Sequence, residues 1–320
     1  MKKLNLFDKL NAASLLLVSP EWPKVRAAQK RAQSFENPVV NIPLETRTIA
    51  GRKIRLAQAG PIDAPTVVLL SPFPASILNY AGSWESLTAN FRLIAIDLPG
   101  FGGSEGDRHD MTPTAQGNHL AAIFDALELN DIHLVAPDVG MASALSYVLD
   151  HEHRLTSMLI GHSIGNPKPV ELGFMIDILA KFGFMRATTA LLGAGPLIAY
   201  SSKIGAVRHQ ASAVEIDDYK RSYAGRAPEV IHWFKDFHAK SDAIAARLGE
   251  IQIPTLVFWG EFDVLFNANN AERIYAALPN SKLHILPEAG HFSWADQPKM
   301  FASMIEQWVV NEHKQIDISA

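Results

Sequence analysis

Read for hydrophobic periodicity, the chain alternates short apolar runs with amphipathic stretches over most of its length. Thr66–Leu70 is a continuous apolar run of the kind a strand buried on both faces requires. Phe91–Ile96, His133–Ala136, Thr156–Gly161, Pro254–Trp259 and Lys282–Leu286 read as further strands. Helical spacing fills the intervals at Trp84–Ala89, Gly117–Leu129, Met141–His151, Asn269–Ala277 and Lys299–Asn311. Thr46–Ile49 and Lys53–Ala57 flank an Ala50-Gly51 turn and predict a hairpin. Repeated strand–helix units imply an α/β fold, a mostly parallel central sheet with helices on both faces.

The rhythm stops at Asn166-Pro167-Lys168-Pro169. About eighty residues follow that are helical, apolar and glycine-rich, without a strand pattern, before the alternation resumes at Pro254. A helical block between two parts of one sheet reads as a lid. The expected division is a core of residues 36–165 and 246–320, a helical lid at 166–245, and an N-terminal helical extension, 1–35, outside the catalytic core. There is no internal repeat and no low-complexity tract.

With 320 residues, 48% of them hydrophobic, the chain can bury a large core. A formal charge of −4 gives no electrostatic case for nucleic acid. The lack of cysteine excludes disulfides, thiolate metal sites and a cysteine nucleophile. No apolar run reaches the roughly 18–20 residues of a membrane span, and Phe184–Tyr200 is broken by Arg186 and Pro196. Lys2 and Lys3 ahead of Leu15–Val18 have a trace of a signal peptide. Asp8 and Lys9 cut the apolar stretch short, however, and no small-x-small site closes it. An ordinary helix and a cytoplasmic location are expected, with homodimerisation left open.

The chemistry begins at Ala136-Pro137-Asp138-Val139-Gly140. A short apolar strand, a sharp turn and a helix opening on small residues make the layout of a nucleophile elbow, G-x-S-x-G in its usual form, with aspartate where serine stands. Serine needs a base to react. A carboxylate, with an ordinary pKa of about 3.9, is ionised at neutral pH and can attack carbon directly. Three further segments are in register with it: Asp97-Leu98-Pro99-Gly100-Phe101-Gly102-Gly103-Ser104, then Trp259-Gly260-Glu261-Phe262-Asp263, then Ala289-Gly290-His291-Phe292. Singly, Asp138 also suits a helix cap, Asp263 a turn and His291 a loop. Together, each follows a predicted strand, at the sheet edge where ligand and catalytic groups gather.

Over roughly residues 45–312 the chain resembles the α/β-hydrolases, in the branch that uses an aspartate nucleophile. The D-x-x-G-x-G-x-S turn, the elbow 34 residues after Ser104, and the acid and histidine in that order carry the resemblance. It implies an ester formed on Asp138 and hydrolysed by water that His291 activates, with Asp263 orienting the histidine and backbone donors at Phe73 and Val139 forming the oxyanion hole. It implies no metal or organic cofactor, and the apolar lid implies a small apolar substrate.

The electrophile divides the branch. Haloalkane dehalogenases carry tryptophan directly after the nucleophile and haloacetate enzymes arginine, where this chain has Val139. Epoxide hydrolases protonate the ring with lid tyrosines, and the segment from Tyr219 and Tyr223 to Phe237 resembles theirs, with phenylalanine at the expected second tyrosine. Tyr219, Tyr223, Trp233, Phe237 and His238 are therefore the candidate substrate contacts. The family's His-Gly-x-Pro loop is here Ser71-Pro72-Phe73-Pro74, and its Phe73-Pro74 pair leans toward epoxide hydrolases and haloacetate enzymes. With the lid resemblance an epoxide hydrolase is the expected reading, and a dehalogenase the alternative. Two further readings stay open. Gly161-His162-Ser163-Ile164-Gly165 would make Ser163 an esterase nucleophile, although the prolines after it do not suit the helix an elbow requires. The altered Ser71-Pro72 loop would also suit a noncatalytic ligand-binding homologue.

Overall fold

The structure is a computed structural model, and it describes residues 3–38 and 40–313. Its centre is an eight-stranded sheet. The strands are β1 (Leu44–Ile49), β2 (Arg52–Ala59), β3 (Thr66–Leu70), β4 (Arg92–Ile96), β5 (Ile132–Pro137), β6 (Leu155–Gly161), β7 (Thr255–Gly260) and β8 (Ser281–Leu286). In space they run β8-β7-β6-β5-β3-β4-β2-β1. The β1–β2 and β2–β4 pairs are antiparallel and all others parallel. Every residue of β5 and β7 is buried, as strands covered on both faces must be. Each fully buried Leu, Val or Ile there contributes about 1.5–3 kcal/mol relative to exposure.

Helices α3 (Ala81–Asn90), α4 (Pro113–Ala126), α5 (Val139–His151), α12 (Asn269–Ala277), α13 (Ser293–Asp296) and α14 (Pro298–Val310) complete the core. They supply apolar clusters on the two sides of the sheet. Between β6 and β7 lie α6 (Phe174–Lys181), α7 (Gly183–Leu192), α8 (Ala194–Ile204), α9 (Ala213–Ser222), α10 (Ala227–His232) and α11 (Phe237–Ala245). Within this helical block His209–Gln210 forms a two-residue parallel ladder with Phe35–Glu36, an element too short to leave a sequence pattern. The D-x-x-G-x-G-x-S turn follows β4, where Asp97 accepts from the Ile77 and Gly103 amides at 3.0 and 2.8 Å. A Cβ on Gly102, at φ +50°, would come within 2.2 Å of that carboxyl group.

The N-terminal helices α1 (Leu6–Val18) and α2 (Trp22–Arg31) precede the sheet. They carry the extension expected outside the catalytic core; α1 packs along α8, and Leu15 lines the cavity above the sheet. Four polar contacts fix the attachment. Ser19 Oγ meets Tyr200 Oη at 2.9 Å, Asp8 accepts from Lys220 at 2.6 Å, and Gln29 donates to the Lys203 and Ala206 carbonyls.

Candidate active site

Five strands adjacent in the sheet deliver five groups to one edge: Phe73 after β3, Asp138 after β5, His162 after β6, Asp263 after β7 and His291 after β8. Asp138 occupies the turn between β5 and α5 at φ 53°, ψ −132°. This conformation is sparsely populated for a residue with a Cβ and costs on the order of 1–3 kcal/mol. The fold holds it there by the Asp138 N–H bond to the Gly161 carbonyl and the Met141 N–H bond to the Asp138 carbonyl, both 2.9 Å. Gly140 permits the crossing, because a Cβ there would stand 3.0 Å from Leu70. Asp138 makes no side-chain cap bond to α5, so the helix-cap reading does not describe what its carboxylate does.

The two carboxylate oxygens of Asp138 have different neighbours. Oδ2 accepts a very short hydrogen bond from the Phe73 amide. Oδ1 faces His291 Nε2 at 3.5 Å. Val139 is the first residue of α5, so its N–H lacks a helical acceptor, and the residue lines the cavity. The Ser71-Pro72 substitution does not misdirect the loop. Ser71 donates its N–H to the Ile96 carbonyl at 2.9 Å and its Oγ accepts from the Leu98 amide at 3.3 Å, tying the loop to β4.

Asp263 is buried and saturated with donors. Oδ1 accepts from the Leu265 and Phe266 amides at 2.9 and 3.0 Å. Oδ2 is shared by His291 Nδ1 at 3.1 Å and His162 Nδ1 at 2.9 Å. Burial alone would raise the Asp263 pKa. The His291 charge and the bonds from both histidines outweigh it and hold the carboxyl group well below the usual carboxylate range. Burial likewise works to lower the His291 pKa, yet the Asp263 charge and the Asp138 hydrogen bond raise it to about 10. His162 goes the other way: burial dominates and lowers it, which favours a neutral imidazole that donates from Nδ1 and accepts at Nε2 from Ser293 Oγ at 2.8 Å.

The loop carrying His291 is clamped by Asp296, whose carboxylate accepts from the amides of Gly290, Val207, Arg208 and His209 at 2.7–2.8 Å. The Phe292 amide adds a bond to the Gly205 carbonyl. Phe266 stacks on the imidazole at 5.5 Å. Nitrogen and oxygen atoms of His162, Asp263 and His291 lie within 4.8 Å of one another, a spacing that also suits a metal ion. They are hydrogen-bonded among themselves here, and a cation would have to displace those bonds.

Asp138 and His291 form the floor of a cavity of about 110 Å³. This is on the order of an apolar cavity that admits a benzene-sized molecule. Its walls come from Phe73, Val139, Leu265 and Phe266 of the core, from Leu15, and from α6, α7, α8 and the segment after α10. Thr188 and Thr189 turn their hydroxyls back to the Met185 carbonyl, leaving an apolar lining.

Of the predicted lid contacts, only Trp233 lines this cavity. Its indole N–H has no acceptor among the described residues. Tyr219 instead bonds Asn79 and Glu215 at 3.1 and 3.3 Å. Tyr223 is fully engaged, donating to the Ala75 carbonyl and accepting from the Gly102 amide, both at 2.9 Å. Phe237 is packed among Trp233, Phe234 and Phe266, and His238 is an exposed residue 4.0 Å from Asp177. The family resemblance that suggested these four could not distinguish a residue facing the cavity from one facing the core beside it. Ser163 is fully buried, its Oγ has no partner among the described residues, and it does not line the cavity. The residues missed in sequence are His162, Tyr200 and Leu15. His162, at φ 66°, stands in the very string that drew attention to Ser163.

Residues 65–298 match the family model described as the alpha/beta hydrolase fold. The chain belongs to the α/β-hydrolase family. Among curated relatives it is 24% identical over 268 residues to a 2-hydroxy-6-oxononadienedioate/2-hydroxy-6-oxononatrienedioate hydrolase of Cupriavidus pinatubonensis, covering 78% of this chain and 88% of that one. It is equally 24% identical over 282 residues to an uncharacterized protein of Mycobacterium tuberculosis, covering 83% and 81%. The fold is shared with the solved haloalkane dehalogenase of Bradyrhizobium elkani at a TM-score of 0.72 and 20% identity, over 85% of this chain and 99% of that one. No helix among the described residues is long and apolar enough to cross a membrane.

Proposed function

We propose that the protein is a hydrolase that attacks an electrophilic carbon of a small apolar molecule through an alkyl ester on Asp138. The observation that carries this reading is the division of labour in the Asp138 carboxylate. One oxygen rests on the Phe73 amide, while the other is free of backbone donors and faces the cavity beside His291. Oδ1 attacks the carbon in line and the leaving group departs with the bonding electrons. Oδ2 becomes the ester carbonyl oxygen, already seated on the donor that will receive the developing oxyanion. With Asp138 esterified, His291 gives its proton to solvent, and Nε2 then takes one from the water that adds to the ester carbonyl carbon. Collapse expels the alkoxide, which leaves as the alcohol with that proton, and the Asp138 carboxyl group returns its remaining proton to His291.

The charge balance supports this order. Burial opposes the His291 proton, and Asp138 is one of the groups that retain it. Esterification removes the Asp138 charge, so the imidazole loses part of what held its proton and becomes a base for the second step. Asp263, kept ionised by its four donors, stabilises the imidazolium that returns.

For the leaving group, a halide fits the lining best. A departing halide needs a hydrogen-bond donor and no proton, and the Trp233 indole N–H is an unengaged donor on the cavity wall. The haloalkane dehalogenase fold likeness agrees with this without deciding it. Epoxide opening is the second reading, because Tyr200 lines the same cavity and burial raises its pKa, keeping it protonated; its hydroxyl would have to turn from Ser19 Oγ, 2.9 Å away, to reach the ring oxygen. In this reading Tyr200, not Tyr219 or Tyr223, supplies the acid.

Halide release and diol formation are measured over a panel of short haloalkanes and epoxides, with phenyl and alkyl esters as controls. The reading predicts turnover of a carbon electrophile that Asp138→Asn abolishes. Ester turnover that survives Asp138→Asn and disappears in Ser163→Ala would assign the serine esterase instead.

A further inference from the structure

Two helices that wall the cavity turn an apolar stripe outward, away from the protein. On α1, Leu6, Leu10 and Leu17 are 60–82% exposed. At about 100° per residue these three fall within about 40° of one another, and the exposed Phe7 and Val18 widen the stripe to about 120°. The opposite side of the same helix buries Asp8, Ala12 and Leu16 and sends Leu15 to the cavity. Helix α7 repeats the arrangement. It buries no residue, lines the cavity with Met185, Thr188, Thr189 and Leu192, and exposes Phe184 and Leu191 at 73% and 88%. Isolated exposed apolar residues need no explanation, but two stripes on helices that both pack on α8 and line one cavity do.

The charges beside the α1 stripe are of one sign. Lys3, Lys9, Lys24, Arg26, Lys30 and Arg31 are all exposed. None of them is in an ion pair among the described residues, although Lys24 lies over the Phe262 ring at 6.0 Å. The two carboxylates of this segment are turned inward, Asp8 to Lys220 and Glu21 to the Phe174 amide. A groove between α1 and α2 has Lys9, Arg26, Lys30 and Lys203 around a floor that includes Leu16 and Trp22, with no acidic side chain in it. This segment is basic within a chain of net charge −4.

We propose that α1, α2 and α7 form a docking face for an anionic lipid bilayer, on which the protein lies with its cavity turned toward the membrane. Exposed apolar side chains sink to the level of the acyl boundary while the flanking cations meet lipid phosphates, the division of labour of an interfacial helix. An apolar substrate dissolved in the bilayer then reaches Asp138 past Leu15 and α7 without crossing water. Attachment is peripheral and reversible, with no segment spanning the membrane. A second copy of this chain is the less suitable occupant, because matching two such faces would set like charges against each other.

The full-length protein is tested by flotation with phosphatidylcholine–phosphatidylglycerol vesicles and with phosphatidylcholine vesicles alone. Binding is expected to the anionic vesicles, weakening as salt shortens the screening length to a few ångströms. Lys9→Glu with Lys30→Glu should weaken binding by at least about twenty-five-fold, at roughly fivefold for each cation lost. Leu10→Glu with Leu17→Glu should remove it, with melting temperature unchanged because both side chains are exposed. Equal binding to both vesicle types, no binding to either, or wild-type binding by both double variants would overturn the proposal. So would a dimer, seen by light scattering, that the α1 substitutions dissociate while vesicles leave the protein unbound.

Discussion

The sheet edge and the helical block between β6 and β7 meet at the same cavity and are built on opposite terms. At the edge, nearly every polar group that faces the cavity is fixed by at least one other: Asp138 by Phe73, His291 by Asp263, Asp263 by two amides and two histidines. In the helical block, the polar groups of α9 are spent on the core, and what remains for the cavity is apolar. Asp218 binds Arg55 at 2.6 Å and Ser76 at 2.6 Å, and Tyr219 and Tyr223 bond inward. The difference separates two jobs. Chemistry needs atoms held within a few tenths of an ångström, which strand ends and backbone amides provide. Selection of an apolar substrate needs only shape and dryness, which packed helices provide.

Substitutions at the edge should therefore cost orders of magnitude in rate, and substitutions in the helical block much less. Asp138→Asn should lower turnover by at least about 10⁴-fold, because among the described residues no other carboxylate lines the cavity. His162→Asn should cost about tenfold to a hundredfold in kcat, since Asp263 loses one of four donors and a buried charge short of a partner loses about 1–3 kcal/mol. Rescue by His162→Gln, with its amide at greater reach, would support a positioning role. Trp233→Phe should slow halide release by about tenfold, the worth of one hydrogen bond to a charged group, and leave ester controls alone. At the small end, His238→Ala should not change turnover, and Tyr219→Phe should change only stability, by about 1 kcal/mol. A large kinetic effect at Tyr219 would break the comparison.

The same edge gives a signed pH dependence. His291 is raised in the fold from 6.5 to about 10, so the stability its proton confers is complete below pH 6.5 and is lost as pH rises through about 10. Calorimetric stability of the wild type relative to His291→Gln should thus fall between these limits. A gap that widened over that window would contradict the charge assignment. Asp263, lowered in the fold, adds stability present above its ordinary pKa and lost as acid protonates it.

Most of the edge could be read from the sequence, because strands and elbows leave local signals. The apolar run before Asp138, the small residues after it, and the strand preceding each of Asp263 and His291 fix positions through chain connectivity alone. The predicted strands match to within two residues, and Asn269–Ala277 is reproduced in full. His162 was hidden by a different cause: its partner Asp263 is 101 residues away and meets it only because β6 and β7 are neighbours. The helical block was opaque for a third reason. Its helices are apolar on several faces, so spacing could not tell that Tyr200 lines the cavity while Tyr219 and Tyr223 do not. Nor could local pattern reveal that α1, more than 100 residues upstream of that block, would supply Leu15 to its wall.

The central claim is that Asp138 becomes covalently alkylated. Incubating His291→Gln with a short haloalkane and measuring intact mass tests it most directly, because the variant keeps the attacking carboxylate and loses the base that clears the ester. The account predicts accumulation of a species heavier by the alkyl group alone, without halogen, that maps to the peptide containing Asp138. An adduct on Ser163, or halide released at the wild-type rate with no adduct at any time, would contradict it.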